Sequence, residues 1–386
     1  MSENKNILKT PNEPKKEEIN KQNEININKI NNETSSKQSS IPKSIHDIYN
    51  DKEELEEYLK QNCKEFWEKF ELIEFKKNGS AGSVIKAKTR KKGNKNSHLL
   101  ALKFLYNGKH SNKQKKEINH QEIMIHGALK HKNIPQIYGY YKIGDCNSCI
   151  AMEFSQYGDL ENFKKKVIKR LPLSETLICY ILGGLSEAVN YIHTHNKIIH
   201  MDIKQQNILI DDYINVKLTD YSISIDYKNK KYITLPMIGT CYYMSPEVLR
   251  KETIPANYAS KIDVYSIGVL LYLLAFCDYP YKLKDVDNKN YSQILKNIEE
   301  NELEFPNDFE CSKPFINLLK NCLNKDIKQR YDINQLINDD WARGYQIILN
   351  EKEKLYNAGK LVIDLMVDNM INFNDYIKRI EKEKFF

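Results

Sequence analysis

The spacing of apolar residues changes character several times along this chain. Up to about residue 44 the residues are mostly Asn, Lys, Glu and Ser with isolated Ile, and no helical or strand period is sustained. Such a segment cannot bury enough apolar surface to offset the entropy of ordering it, so residues 1–44 read as a disordered tail. Next, Ile48, Leu55, Tyr58, Leu59, Cys63, Phe66, Trp67 and Phe70 recur at helical spacing. This predicts an amphipathic helix within a linker over 45–70, packed against the domain on its C-terminal side. Strand-like segments dominate from Glu71 to about Phe154, with one helix between Gln114 and Lys130. From about Gly158 the period is mainly helical, interrupted over 200–247. The most apolar run, Ile267 to Cys277, is too short to span a bilayer and predicts a buried helix. Beyond Trp341 the pattern stays helical and ends basic and apolar-tipped, at Ile377-Lys378-Arg379-Ile380 and Phe385-Phe386. The expectation is an α+β chain: a β-rich lobe over 71–155, a larger helical lobe over 156–343 and a helical extension over 344–386.

Composition narrows the class without naming it. With 386 residues, 41% hydrophobic and 29% charged, there is ample material for one large two-lobed domain plus tails. The net charge of +7 is spread over many lysines, with no arginine-rich or aromatic-interleaved patch, so nucleic acid is not an expected partner. Eight cysteines are scattered. Cys146 and Cys149 form a CxxC without the second ligand pair that zinc needs, and read as residues of a β-hairpin turn. All eight read as reduced thiols of an intracellular protein, cytoplasmic or nuclear. The start has no apolar signal core, and Ser2 stands where myristoylation needs glycine.

The candidate chemistry lies at residues 200–222. His200-Met201-Asp202-Ile203-Lys204-Gln205-Gln206-Asn207 is followed, after a short β-rich stretch, by Asp220-Tyr221-Ser222. Asp202 can accept a proton, Lys204 can neutralise a γ-phosphate, and Asn207 with Asp220 can hold magnesium. The block closely resembles the catalytic loop and metal-binding triplet of eukaryotic protein kinases. It departs at Met201, where most members carry arginine, and at Tyr221-Ser222, where most carry Phe-Gly.

Further segments fit the same resemblance in order, from about residue 70 to 343. Lys77-Asn78-Gly79-Ser80-Ala81-Gly82-Ser83-Val84 is similar to the glycine-rich loop, with Gly79 and Gly82 kept and Lys77 in place of the first glycine. Ala101-Leu102-Lys103 then supplies the lysine that would hold the α- and β-phosphates. Glu122, rather than Glu117, is its partner by the register of His131-Lys132-Asn133-Ile134. The stretch Met152-Glu153-Phe154-Ser155 resembles the hinge. There the Glu153 carbonyl and the Ser155 backbone would face adenine, Met152 would be the gatekeeper and Asp159 would reach a ribose hydroxyl. Val84 and Ala101 above, with Leu209 below, would clamp the purine. Thr240 would bond to Asp202 and Lys204, Glu247 would pair with Arg330, and Asp263 would anchor the catalytic loop, with Tyr265 in the usual tryptophan position.

The resemblance implies a bilobal kinase-like fold, ATP and Mg²⁺ as cofactors, and a protein substrate with a Ser/Thr acceptor. Every charged group for phosphate and metal is present, which favours an active enzyme; the rival is a pseudokinase used as a nucleotide-binding signalling scaffold. Ser222 is expected to cost about 1 kcal/mol if its backbone needs a positive φ. Met201 cannot pair a phosphate, so the segment Asp220 to Glu247 is expected to order without one, with Thr234, Tyr227 and Tyr232 as the sites to check. His126 is expected either to bond the Tyr221 hydroxyl or to turn out to water. Gln206 and Leu273 stand where arginine-directed kinases carry glutamates, so strong selection for arginine is not expected.

Overall fold

The computed structural model describes residues 52–79, 82–90, 97–106, 113–143, 147–168, 172–283, 286–306 and 311–357. The tail over 1–44, the hairpin turn at Cys146 and the end of the C-terminal extension lie outside the described residues.

The helix expected over 45–70 is two helices, α1 (Lys52–Asn62) and α2 (Lys64–Lys69), which break at Cys63, where φ −142° and ψ 55° are not helical. The break re-aims the apolar stripe. Leu55 and Leu59, one turn apart, are buried on α1, and Phe66 on α2 turns its ring onto Phe104, 5.8 Å away, and Tyr141, 5.5 Å away. Arg90 fastens the pair: its guanidinium stands 4.3 Å over the Trp67 ring, and its Nε donates to the carbonyls of Trp67 and Phe70 at 2.9 Å.

Five antiparallel strands come next: β1 (Phe70–Gly79), β2 (Gly82–Thr89), β3 (Leu99–Tyr106), β4 (Ile137–Ile143) and β5 (Asn147–Glu153), in the order β1-β2-β3-β5-β4. On β3, Ala101 and Leu105 share a face with Lys103 and pack with Ile150, Met152 and Ile123. Leu100, Leu102 and Phe104 point to the opposite face, and all three are buried. Both faces of the sheet are therefore covered, which accounts for the nearly continuous apolar run of β3. The helix α3 (Lys113–Ala128) carries Glu122 on the Lys103 side. Cys149 sits inside β5 with no exposure, so it is a core residue and not part of a turn as expected. The seven described cysteines are free thiols.

The larger lobe is built on α4 (Glu175–Tyr191) and α5 (Ala259–Phe276). Ser174 starts α4 by accepting from Leu177 N, with Glu175 in the first turn to suit the helix dipole. The apolar run Ile267 to Cys277 falls at the end of α5. Residues 256–276 are long and apolar enough to cross a membrane, but 89% of that window is buried in this lobe. Around these helices stand α6 (Tyr291–Glu300), α7 (Lys313–Cys322) and α8 (Gly344–Asn357). The extension packs on α4: a Cβ at Gly183 would lie 2.0 Å from the Tyr345 ring, so only glycine admits it.

Short strands shape the face between the lobes. β6 (Gly158–Asp159), β8 (Ile208–Ile210) and β9 (Val216–Leu218) form one sheet, and β7 (Ile198–Ile199) pairs with β10 (Ile225–Asp226). β11 (Tyr232–Thr234) pairs with β12 (Thr253–Pro255).

Candidate active site

Lys103 sits at mid-strand on β3, opposite Val84 of β2 and Ile150 of β5, so its stem is enclosed and its head must find charge. It finds two carboxylates. Nζ lies 2.5 Å from Glu122 Oε1 and 3.2 Å from Asp220 Oδ1. Burial alone would lower its pKa, but the two carboxylates outweigh it and hold the ammonium above its usual range. Burial pushes Asp220 up; Lys103 and a hydrogen bond from the Ser222 hydroxyl overcome it and leave the carboxyl at about 2. That serine stands where the resemblance expected a loss. Its φ is not positive; the left-handed residue here is Asp220 itself, at φ 71°.

The catalytic-loop residues are placed by the β8–β9 hairpin. Ile208 pairs with Leu218, so Asn207 and Thr219 come side by side, with Thr219 N donating to Asn207 O at 3.0 Å. Asp202 is gripped on both oxygens. Oδ1 accepts from Thr240 N at 3.1 Å and Thr240 Oγ1 at 2.8 Å. Oδ2 faces Lys204 Nζ at 2.6 Å and accepts from Asn207 Nδ2 at 2.9 Å. Lys204 also donates to Thr240 Oγ1 at 2.7 Å, closing the ring of contacts expected for Thr240.

Beneath this loop Asp263 accepts from the amides of His200 at 2.7 Å and Met201 at 3.0 Å, and from His193 Nε2 at 2.7 Å. Met201 is left-handed, at φ 72°, and these bonds hold it there. His200 donates from Nε2 to Thr219 O and accepts Asp202 N on Nδ1, a neutral tautomer in keeping with a pKa lowered by burial. Glu247 and Arg330 form a two-pronged pair, at 2.6 and 3.0 Å.

His126 matches neither expectation. It is buried, its Nε2 donates to Pro135 O at 2.9 Å, and its ring packs 5.0 Å from that of Tyr221. The Tyr221 hydroxyl donates instead to Leu218 O, while its ring packs tilted against His126 and edge-on against His200. Burial lowers the His126 pKa to about 4.

At the opening between the lobes, Val84, Ala101 and Met152 line one apolar cluster, with Leu209 half-buried on β8 below. Gly79 and Gly82 pair at the tip of the β1–β2 hairpin; Ser80 and Ala81 lie outside the described residues. Ser155 is buried with no partner for its hydroxyl among the described residues. Asp159 has a structural task as well: its Oδ1 caps the helical turn Leu160–Phe163, accepting from Asn162 N and Nδ2 at 2.9 Å. The sequence pattern Asp-x-x-Asn carried that signal.

Sequence reasoning missed Lys217. Its ammonium is buried between Glu153 Oε1, at 2.8 Å, and Lys132 O, at 2.9 Å, and so ties the hinge to the loop after α3. It also missed what the two glutamines of the catalytic loop bind. Gln205 accepts from Lys164 at 2.5 Å and Gln206 donates to Glu161 at 2.7 Å.

Comparison with known proteins agrees with this geometry. The protein kinase domain profile matches residues 77–342. Serine/threonine-protein kinase dst2 of Dictyostelium discoideum is 31% identical over 290 residues, 74% of this chain and 23% of that protein. Calcium-dependent protein kinase 5 of Plasmodium falciparum is 28% identical over 306 residues, 77% of this chain and 50% of that protein. Serine/threonine-protein kinase pakB of Dictyostelium discoideum is 29% identical over 265 residues, 69% of this chain and 29% of that protein. The chain thus spans no more than half the length of these relatives. A match that runs through the whole catalytic region, over a site whose charged groups converge as they do here, makes this chain a member of the protein kinase family.

Proposed function

We propose that the chain transfers the γ-phosphate of ATP to serine and threonine hydroxyls of protein substrates, with magnesium. The observation that carries the reading is the Asp202 carboxylate, held on both oxygens by Thr240, Lys204 and Asn207. A carboxylate so oriented can take the proton of an acceptor hydroxyl, while Lys204 offsets the charge that builds on the transferred group. Positioning and electrostatics supply most of the barrier reduction in this chemistry.

The residues fit both cofactors. Lys103 spends two of its three N–H donors on Glu122 and Asp220 and keeps one for a phosphate oxygen. Asn207 turns its amide nitrogen to Asp202, so its carbonyl oxygen and the ionised Asp220 carboxylate are the hard donors the site offers a metal. Among the described residues no cluster of three or more His, Cys, Asp or Glu could hold a metal. Two protein oxygens completed by nucleotide phosphates suit magnesium, which gives up its water reluctantly. When bound, the ion would neutralise phosphate charge.

Order in the activation segment without a phosphate is part of the same reading. Met201 lies in one buried cluster with Ile233 and Leu235, against which Ile225 and Met237 pack. The ladder β7–β10 fastens the segment near its start and β11–β12 at its middle, and the Tyr227 hydroxyl donates to His193 O. Thr234 meets Thr253 on the surface and Tyr232 is exposed, so neither holds the segment in place through a charge. Free thiols buried at Cys149, Cys179 and Cys322 accord with an intracellular setting.

The test is incorporation of radiolabelled phosphate from ATP and magnesium into a generic Ser/Thr substrate by the full chain, beside Asp202→Asn, Lys103→Met and Thr234→Ala. The expected result is loss in the first two and retention in the third. Equal incorporation by wild type, Asp202→Asn and Lys103→Met would sink the enzyme reading and leave the signalling scaffold.

A further inference from the structure

The sheet of the smaller lobe ends at β4, whose outer edge has no neighbouring strand among the described residues. Beside that edge, where the chain breaks between α1 and α2, lies a groove of about 540 Å³, the size of an ordinary ligand site. Residues Asn62 to Phe66 form one wall and Gly139 to Lys142 the other. Consecutive side chains of a strand point to opposite faces, so a wall of four in a row is the strand edge itself, with its backbone groups. Gly139 makes room at this edge for the Tyr141 ring, which would stand 3.0 Å from a Cβ at that position. Tyr141 and Phe66, with ring centroids 5.5 Å apart, give the groove an apolar floor.

The rim is basic. Lys69 is answered by Glu65 at 2.5 Å and lies 5.2 Å over the Tyr141 ring. Lys64 and Lys142 are exposed and have no ion pair among the described residues. An open edge offers backbone N–H and C=O groups in a row, and two unanswered ammonium groups beside it favour an acidic chain. A second copy of this chain is a poor occupant. Pairing β4 with β4 would set Lys64 and Lys142 of each copy against a surface of the same sign, which is how edge lysines keep chains apart. The tail over 1–44 does not complement the rim either, with eight lysines against six acids.

We propose that this groove binds an extended acidic segment of a partner protein, which adds as a further strand along β4. Main-chain hydrogen bonds to the edge hold the segment, apolar side chains settle on Tyr141 and Phe66, and its acids meet Lys64 and Lys142. Phe66 packs on Phe104, whose side chain points away from the Lys103 face, so the occupant lies on the far side of the sheet from α3 and leaves the cleft between the lobes clear. The surface is therefore a tether that can hold a partner while the catalytic residues stay open. It goes beyond the phosphoryl-transfer reading and does not depend on it.

The experiment reads binding to the full chain by fluorescence polarisation of labelled peptides of about eight residues, within the usual range of strand lengths. One alternates Glu with Val, one alternates Lys with Val, and one is the acidic peptide N-methylated at every amide, which removes its strand donors. The acidic peptide is expected to bind and the other two are not. Lys64→Glu with Lys142→Glu should weaken its binding about tenfold, and Lys64→Arg with Lys142→Arg should keep it. Lys289→Glu with Lys296→Glu, at exposed positions of the larger lobe, controls for net charge and should leave it nearly unchanged. Absent binding, equal binding of the acidic and basic peptides, or equal loss in the two reversed pairs would each overturn the proposal. So would undiminished binding of the N-methylated peptide, or a full chain that sediments as a dimer through this edge. Polarisation reads binding alone, so the result stands whether or not the chain transfers phosphate.

Discussion

Two buried ion pairs, one in each lobe, look alike by distance and differ in what they have left over. Glu247 and Arg330 meet at 2.6 Å with side chains 2% and 0% exposed. Arg330 spends two further donors on Asn324 O and Lys261 O and lies 4.9 Å over the Tyr265 ring, so four of its five N–H groups and both Glu247 oxygens are engaged and the pair is close to saturated. Lys103 and Glu122 meet at 2.5 Å, but Glu122 Oε2 has no partner among the described residues and Lys103 shares its head with Asp220. A saturated pair fixes geometry. An unsaturated one is still short of partners, and the third N–H of Lys103 can take a nucleotide phosphate oxygen. Burial and distance alone would not separate the two; counting unspent donors and acceptors does.

The widest separation between them should appear in stability. Arg330→Met strands Glu247 in the floor of the larger lobe and should cost about 3–5 kcal/mol in urea unfolding of the full chain. Lys103→Met leaves Glu122 free to take up a proton, because burial already pulls that carboxyl upward, and should cost about 1–2 kcal/mol. Activity should rank the other way, with Lys103→Met losing at least about a hundredfold in turnover. If the two variants lose the same stability, the distinction between saturated and unsaturated pairs is wrong.

His126 is an intermediate case, with Nε2 bonded to Pro135 O and Nδ1 buried without a partner among the described residues. Its folded pKa of about 4 lies below the ordinary 6.5, so between these values the unfolded chain binds a proton that the folded chain refuses. The stability it contributes is therefore complete above pH 6.5 and lost as pH falls towards 4, to a limit of about 3 kcal/mol. His200 is lowered too and adds loss of the same sign, while Asp220 acts in a lower window, below its ordinary 3.8. Urea midpoints at pH 7 and pH 4.5 should drop less steeply for His126→Leu than for wild type. Parallel slopes would show that the bare nitrogen is not a liability.

Both pairs could be read from the sequence, so legibility follows a different line. Lys103, Glu122, Asp202, Lys204, Asn207, Asp220 and Thr240 were legible because phosphoryl transfer needs those charges and hydroxyls at that spacing, and the structure brings them together. The two-lobed plan was legible from the change of period near Gly158. The contacts that brace the hinge and the catalytic-loop glutamines were not. Nothing local says that Lys217, on an alternating Val-Lys-Leu strand, is roofed by Glu153, or that Gln205 and Gln206 are held from the segment after Asp159. These are long-range pairings between residues of ordinary type. The cover that α1 and α2 place on the second sheet face left two traces, their own helical apolar spacing and the apolar run of β3 on both its faces.

The smallest effect is expected at Tyr265, beside the saturated pair. Its ring is 1% exposed and carries the Arg330 guanidinium, yet its hydroxyl is buried with no partner among the described residues. The ring and the hydroxyl therefore act in opposite directions: one stacks on a cation, and the other loses water for nothing. Tyr265→Phe keeps the stacking and removes the orphaned group, so it should raise unfolding stability by up to about 1 kcal/mol and leave phosphate incorporation unchanged. A loss of stability of that size would mean that the hydroxyl has a partner, such as an ordered water, and that the floor of the larger lobe is less completely closed than the Glu247–Arg330 contacts imply.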